Sequence, residues 1–219
     1  MAIQMITLAL TKEESAQQLL LSAEATEKVL RYLDVLQREC DRETKLIQDL
    51  LDLQQLDTDT LSLVMASISV EEWLPYVMAP LQKRALESSL ALDFVINPDL
   101  PRLMCDQISL SRIVTELVTN ACKFTPAGER VLVQVEPNGE GDRLIFKVTN
   151  SGIEIPLEER SRIFDKFYRL PKLDIRQQGG TGLGLALVQK LVTRLDGSIE
   201  LESNRSGTCF TVELPLQGV

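Results

Sequence analysis

The chain has 219 residues, carries a formal net charge of −9, and contains no histidine. This length fits one compact domain, with or without a helical appendage. An acidic chain repels the phosphates of nucleic acids, so nucleic-acid binding is disfavoured as the main activity. The absence of histidine excludes Ser-His-Asp and Cys-His catalysis and metal sites that need a histidine ligand.

Four cysteines lie far apart in the sequence, with no CxxC pair and no metal-ligand spacing: Cys40, Cys105, Cys122 and Cys209. We interpret them as small hydrophobic residues in a reducing compartment rather than as disulfide or catalytic cysteines. No apolar run approaches 18 residues, and no basic-then-apolar leader is present. The sequence therefore predicts a soluble cytoplasmic protein without a membrane segment.

The first sixty residues contain no proline and no glycine, and they favour helices. We predict a short helix over Met1–Leu10, a looser connection over Thr11–Glu24 and a long helix over Ala25–Asp57. Apolar residues of the long helix recur at three- and four-residue steps. A helix of that length extends about 50 Å, so its apolar stripe needs another helix, most simply in a homodimeric bundle. An intramolecular helical hairpin is the alternative.

From Leu61 the pattern changes to mixed helices and strands. The predicted elements are strand Leu63–Val70, helix Glu71–Ser88, strands Leu90–Ile96 and Arg102–Cys105, helix Ile108–Lys123, strands Arg130–Glu136 and Arg143–Thr149, an irregular segment up to Gly180, helix Gly182–Leu195, and a hairpin of Ser198–Ser203 and Thr208–Leu214.

A glycine-rich turn precedes the last predicted helix, with glycines at 180, 182 and 184. Glycines let main-chain N–H groups approach phosphate oxygens, and a helix N-terminus adds a partial positive charge. The turn is neither a Walker loop nor the GxGxxG fingerprint of a first βα unit. Taken alone, such a turn is as often structural as functional.

Three polar residues share one face of the helix predicted over Ile108–Lys123: Glu116, Asn120 and Lys123. Oxygen donors suit Mg²⁺ and an ammonium group suits phosphate. For a single helix, a solvated polar face with a Glu–Lys interaction is the alternative.

Two further motifs lie between these, Asn-Ser-Gly-Ile-Glu-Ile-Pro at 150–156 and Phe-Asp-Lys-Phe at 164–167. The two phenylalanines either anchor a mobile loop to the body or simply belong to the core.

In this order and spacing the four motifs resemble the N, G1, F and G2 boxes of the sensor histidine kinase ATP-binding domain. The resemblance covers about Leu61 to Leu216. It implies a two-layer α/β sandwich, with a mixed, mainly antiparallel sheet covered by helices on one face, as in gyrase and the heat-shock chaperone and mismatch-repair ATPases. The helices in front resemble that family's dimerisation and phosphotransfer hairpin. We therefore divide the chain into a truncated hairpin (residues 1–60) and a catalytic ATP-binding domain (residues 61–219).

The resemblance also implies the site and its cofactors, ATP and Mg²⁺. It assigns catalysis to Glu116, Asn120 and Lys123, with Mg²⁺ on Asn120 and with Glu116 polarising the water around the metal. Lys166 and Arg169 would reach the γ-phosphate when a lid over Leu157–Gly179 closes. The residues expected to bind nucleotide are Asn120, Lys123, Phe124, Asn150, Gly152, Lys166, Arg169, Gly180, Gly182, Leu183, Gly184, Leu185 and Thr208.

Three departures from the family pattern stand out. Asn150 replaces the family's adenine-binding aspartate, which predicts weaker ATP binding and less discrimination against guanine. Glu154 replaces the second G1 glycine, which predicts a stiffer lid entrance. The phosphoacceptor histidine is missing. Because Met1–Ile6 looks like the helix just after such a histidine, we expect the chain to begin inside that helix.

The resulting hypothesis is the catalytic portion of a two-component sensor histidine kinase. It would bind Mg·ATP and transfer the γ-phosphate to a histidine outside this chain, and from there to an aspartate of a response regulator receiver domain. On its own the chain would not autophosphorylate. The main alternative is a non-catalytic, nucleotide-binding dimeric scaffold. A serine kinase of the anti-sigma type fits less well, because those proteins lack the long leading hairpin.

Overall fold

A computed structural model describes residues 23–58, 62–152, 154–170 and 180–216. The chain divides into two compact units, Met1–Leu51 and Asp52–Val219. The helix predicted over Met1–Leu10 and most of the predicted connection over Thr11–Glu24 lie outside the described residues. The functional division between residues 60 and 61 stays a prediction.

Four α-helices and seven strands are described. The helices are α1 (Ala23–Asp57), α2 (Val70–Glu87), α3 (Gln107–Phe124) and α4 (Gly184–Arg194). The strands are β1 (Met65–Ile68), β2 (Ala91–Ile96), β3 (Leu103–Asp106), β4 (Arg130–Pro137), β5 (Arg143–Asn150), β6 (Ser198–Asn204) and β7 (Gly207–Pro215). Two 3₁₀ turns, Leu157–Glu159 and Arg162–Phe164, lie between β5 and α4.

Helix α1 runs for 35 residues and is the only described element of the first unit. Ion pairs between successive turns, such as Arg38 with Asp34 at 2.6 Å, lie on its polar surface. Its apolar side chains in that unit are largely exposed within this single chain: Leu30, Leu33, Val35, Ile47 and Leu50. In the second unit, the last turns of the same helix bury Leu53 and Leu56 in the hydrophobic core.

The main sheet has five strands in the order β2-β4-β5-β7-β6. Only β2 and β4 run parallel, and the other neighbours are antiparallel. Strands β1 and β3 form a separate antiparallel pair. Along β4, β5 and β7 every second residue is buried, as expected for a sheet with one covered face. The prediction of a mixed, mainly antiparallel sheet is confirmed.

Helices α2, α3 and α4 supply the other layer of the sandwich. Their buried apolar residues pack with the buried residues of the strands in one core, whose largest fully buried side chains include Phe146, Leu74, Met78, Leu110, Ile113, Leu117 and Leu187. The predicted two-layer α/β sandwich is therefore confirmed.

In the part of the chain that the structure describes, no helix is both long enough and apolar enough to span a bilayer.

Asp106 fixes the start of α3, the helix that carries the polar triad. Its Oδ1 accepts a hydrogen bond from the main-chain N–H of Ser109 at 2.7 Å, and its Oδ2 accepts one from the N–H of Val64 at 2.9 Å. Burial raises the pKa of Asp106, but the hydrogen bonds from the Ser109 and Val64 amides outweigh it and lower the pKa below its usual value. The carboxylate thus ties the helix to the segment before β1.

Replacing Asp106 by Ala removes this cap and is expected to lower the free energy of unfolding by about 1–2 kcal/mol at pH 7. Because the folded-state pKa is depressed, the stabilisation is present above the unfolded pKa and is lost as pH falls through the folded pKa. Urea denaturation of wild type and Asp106→Ala from pH 7 to pH 3 should show that the difference between their free energies of unfolding becomes smaller as the pH falls. A difference independent of pH would contradict this role.

Candidate functional site

Helix α3 presents one polar face and one apolar face. Ile113, Val114, Leu117 and Val118 point into the core. Glu116 is buried, with 3% of its surface exposed, whereas Asn120 and Lys123 are half-exposed. A buried carboxylate requires compensating partners, so Glu116 is held at a considerable desolvation cost.

The glycine-rich turn lies directly against this polar face. A β-carbon at position 184 would lie 2.6 Å from Oε2 of Glu116 and 4.0 Å from Nδ2 of Asn120. A β-carbon at position 180 would lie 2.6 Å from Nζ of Lys123. The two 2.6 Å distances are below ordinary contact, so a side chain at position 180 or 184 would require the end of the Lys123 or Glu116 side chain to move.

The middle glycine of the turn is required for a different reason. Gly182 has a φ of +72°, which side chains disfavour, and a β-carbon there would lie 2.8 Å from the carbonyl carbon of Phe167. The main-chain N–H of Phe167 donates to the carbonyl oxygen of Gly182 at 2.9 Å. The turn is therefore packed between α3 and the segment that carries the Phe-x-x-Phe motif.

Helix α4 begins immediately after this turn. Its N-cap residue is Leu183, which provides no side-chain hydrogen bond to the first-turn amides. The Leu183 side chain is wholly buried, and Leu185 packs partly against the core. The main-chain N–H of Leu183 donates to Oγ1 of Thr181 at 3.3 Å.

A second polar cluster lies where β5 ends. Asn150 is buried and stands opposite Thr208 in the β5–β7 register. With its oxygen toward the N–H of Gly152 (3.2 Å) and its nitrogen toward the carbonyl oxygen of Thr208 (3.3 Å), the Asn150 amide satisfies both of its ends. A β-carbon at Gly152 would lie 2.6 Å from the carbonyl oxygen of Phe124, so this loop also abuts the end of α3.

Two residues of this cluster were not anticipated from the sequence. Ser203 Oγ lies 2.7 Å from Oγ1 of Thr208 and accepts a hydrogen bond from the N–H of Ile155 at 2.8 Å. Arg160 donates from Nε to the carbonyl oxygen of Ile155 at 3.1 Å and also bonds the carbonyl oxygen of Ser203. These bonds join the loop after β5 to the β6–β7 hairpin, and no local sequence signal marks either residue.

A third unanticipated residue is Arg112, one turn before Glu116 on α3. Its Nε lies 3.6 Å from Oε1 of Glu116. The guanidinium thus supplies positive charge beside the buried carboxylate, which offsets part of its burial cost.

The two phenylalanines of the Phe-x-x-Phe motif have different surroundings. Phe164 packs edge-on against Phe210 at 6.4 Å between ring centroids and contacts the core. Phe167 is 58% exposed and has a φ of +66°. Of the two phenylalanine side chains, that of Phe164 packs against the core, whereas Phe167 holds the segment through its main-chain bond to Gly182.

Lys123 and Phe124, the last residues of α3, contact each other. The Lys123 ammonium lies 4.8 Å from the centroid of the Phe124 ring.

Lys166 and Arg169, the two basic residues expected to reach the γ-phosphate, have different surroundings. Lys166 Nζ lies 2.6 Å from Oδ2 of Asp57, the last residue of α1. Arg169 is half-exposed near the end of the described segment. The central part of the predicted lid, residues 171–179, lies outside the described residues.

The donor set around Asn120 fits a magnesium ion held jointly with a nucleotide. Over residues 23–58, 62–152, 154–170 and 180–216, no three acidic, cysteine or histidine side chains gather as a metal cage built only of protein requires. Mg²⁺ usually keeps several waters and binds one or two protein oxygens together with phosphates. The half-exposed Asn120 amide beside the Glu116 carboxylate matches that need.

Comparison with known proteins agrees with this arrangement. The family described as histidine kinase-, DNA gyrase B- and HSP90-like ATPase matches residues 105–218. The chain is 36% identical over 195 residues to the circadian input-output histidine kinase CikA of Synechococcus elongatus, covering 88% of this chain and 26% of CikA. It therefore spans about a quarter of that relative's length.

Solved structures share the fold. The full-length ShkA structure in complex with AMPPNP matches with a TM-score of 0.76 and 28% identity, over 91% of this chain and 40% of ShkA. The complex of histidine kinase ThkA with response regulator protein TrrA shares the fold alone, with a TM-score of 0.74 and 19% identity over 98% of this chain and 57% of that chain. The chain belongs to the histidine kinase-, DNA gyrase B- and HSP90-like ATPase family, and its relatives there are sensor histidine kinases.

Proposed function

We propose that this chain is the catalytic, ATP-handling part of a sensor histidine kinase, transferring the γ-phosphoryl group of Mg·ATP to a histidine outside the chain. The observation that carries the proposal is the contact of Gly180 and Gly184 with the polar face of α3. It puts main-chain amides, a carboxylate, an amide and an ammonium group around one site. The presence of AMPPNP in the related ShkA structure supports the same assignment.

The phosphate end of the site is built from this turn and α3. Phosphoryl transfer depends mostly on positioning and on charge neutralisation, rather than on covalent chemistry by the protein. Lys123 and the N-terminus of α4 offer positive charge to the phosphates. Asn120 would offer its side-chain oxygen to the metal, and Glu116 would accept hydrogen bonds from water bound to it. Magnesium bound there would neutralise phosphate charge and order the phosphates for transfer.

The base end of the site is the cluster at Asn150. Asn150, Gly152, Thr208 and the nearby Phe124 are the groups proposed to hold adenine. Because the Asn150 amide already serves Gly152 and Thr208, only its second lone pair and second hydrogen remain for the base. This supports the expectation of ATP binding that is weaker, and less selective against guanine, than with a carboxylate.

We propose the partners of the family's relay for this chain as well. The ThkA complex contains a response regulator, and a receiver domain is the proposed final acceptor here. The exposed apolar residues of α1 support homodimerisation through that helix. A cytoplasmic location is part of the same proposal.

The second candidate function is a nucleotide-binding scaffold without phosphotransfer. The partly engaged Asn150 amide favours it, because weak base binding is tolerable in a protein that does not turn over.

Transfer of the γ-phosphoryl group to a histidine on a separate fragment distinguishes the kinase from the scaffold. When the chain is incubated with γ-labelled ATP and a partner hairpin fragment that carries the phosphoacceptor histidine, acid-labile label is expected on the hairpin and none on the chain. Asn120→Ala is expected to reduce labelling by about a hundredfold, as loss of one charge-stabilising group does in other enzymes. Glu200→Gln, on the exposed edge strand β6, is the matched control and should label normally.

Nucleotide binding without any labelling would support the scaffold and contradict the kinase. Acid-labile label on the chain itself would contradict the requirement for an external histidine.

The substitution Asn150→Asp tests the proposal that Asn150 binds the adenine base. The carboxylate is expected to tighten ATP binding and to raise the ATP-to-GTP affinity ratio, because a charged acceptor strengthens the bond to the adenine amino group. It also places an oxygen toward the carbonyl oxygen of Thr208, so the ligand-free protein should lose about 1–3 kcal/mol of stability.

Calorimetric titration and thermal unfolding measure these two effects. Asn204→Asp is the matched control, since Asn204 is exposed and its Oδ1 only accepts from the N–H of Ser206 at 2.7 Å. Equal ATP affinity of wild type and Asn150→Asp would refute the assignment of Asn150 to the base.

A further inference from the structure

A three-residue ion cluster joins the end of α1 to the two segments that flank the glycine-rich turn. Asp57 Oδ2 lies 2.6 Å from Nζ of Lys166, and Asp57 Oδ1 lies 2.9 Å from Nζ of Lys190. Each carboxylate oxygen therefore has its own ammonium partner. The cluster carries two positive charges and one negative charge.

Asp57 is held in place by the core of the second unit. Leu53 and Leu56, in the turn before it, are 1% and 9% exposed and belong to the same hydrophobic core as the sheet. The main chain that carries Asp57 is thereby fixed, because moving this turn would expose these apolar side chains.

Both lysines lie on segments that adjoin the glycine-rich turn. Lys166 precedes Phe167, whose N–H donates to the carbonyl oxygen of Gly182. Lys190 lies on α4, which begins at Gly184. The Asp57 carboxylate thus lies against the residues on either side of the turn proposed to bind the triphosphate.

We propose that Asp57 is a positioning residue that competes with the nucleotide's γ-phosphate for the ammonium group of Lys166. This inference rests on the proposed function. An ammonium on a flexible four-carbon stem can exchange one anionic partner for another without moving the main chain. While Asp57 holds Lys166, part of the positive charge that would attract the terminal phosphate is neutralised. The end of α1 thereby sets nucleotide affinity.

Asp57 is ionised at neutral pH, as a competitor of the γ-phosphate for Lys166 must be. Side-chain hydrogen bonds from Lys166 and then Lys190 lower the pKa of Asp57 to about 2. The carboxylate therefore stays ionised throughout the neutral range, and its hold on Lys166 is not released by changes of pH there.

The test is a titration of Asp57→Asn with ATP and with ADP in the presence of Mg²⁺. Because exposed ion pairs contribute roughly 0.2–1 kcal/mol, the variant is expected to bind ATP about 1.4- to 5-fold more tightly than wild type. ADP, which lacks the γ-phosphate, should bind both proteins alike. In a Lys166→Gln background the further change Asp57→Asn should no longer tighten ATP binding.

Asp93→Asn is the matched control, since it removes the same charge from an exposed position on strand β2 of the same unit. The proposal is overturned if Asp57→Asn leaves ATP affinity unchanged or weakens it, if ADP gains equally, or if the gain persists with Lys166→Gln. Failure of the wild-type chain to bind ATP at all would instead contradict the proposed function, and this inference with it.

Discussion

The site depends on one constraint, which is the absence of side chains at three positions of a five-residue turn. Gly180 and Gly184 let the turn rest on Lys123 and Glu116, and Gly182 lets it rest on the main chain of Phe167. A methyl group at any of the three would overlap a neighbour. The close approach brings the N-terminus of α4 to the polar face of α3, and the proposed phosphate site rests on that juxtaposition.

The elements and the polar triad were predictable from the sequence because their signals are local. Helix α3 shows an apolar stripe opposite Glu116, Asn120 and Lys123, and strands β4 and β5 alternate with period two. The glycines at 180, 182 and 184 predict a tight turn before α4. The order of four short motifs then indicated the fold through its resemblance to the sensor histidine kinase ATP-binding domain. The separate pairing of β1 with β3 was not predicted, since it joins segments about forty residues apart.

The remaining contacts have no local signature. Asp57 and Lys166 are 109 positions apart, and Ser203 meets Ile155 only because the β6–β7 hairpin folds beside the loop after β5. In the sequence Arg112 is an ordinary charged helix residue, and its role beside Glu116 follows only from the burial of that carboxylate. These residues tune charge and hold loops in place. Their roles emerge from tertiary structure rather than from residue type or spacing, which is why periodicity and motif order did not reveal them.

In this account the chain prepares a phosphate site by packing, tunes its charge through Glu116 with Arg112 and Lys166 with Asp57, and holds the base with an amide. The most direct measurement is the ATP affinity of Gly184→Ala beside that of Gly139→Ala, whose added β-carbon meets nothing within 4 Å. A β-carbon at 184 would displace the end of the Glu116 side chain from beside Asn120, so ATP binding is expected to weaken by about tenfold, which corresponds to about 1.4 kcal/mol. Gly139→Ala should bind like wild type. Equal ATP affinity of Gly184→Ala and wild type would contradict the account.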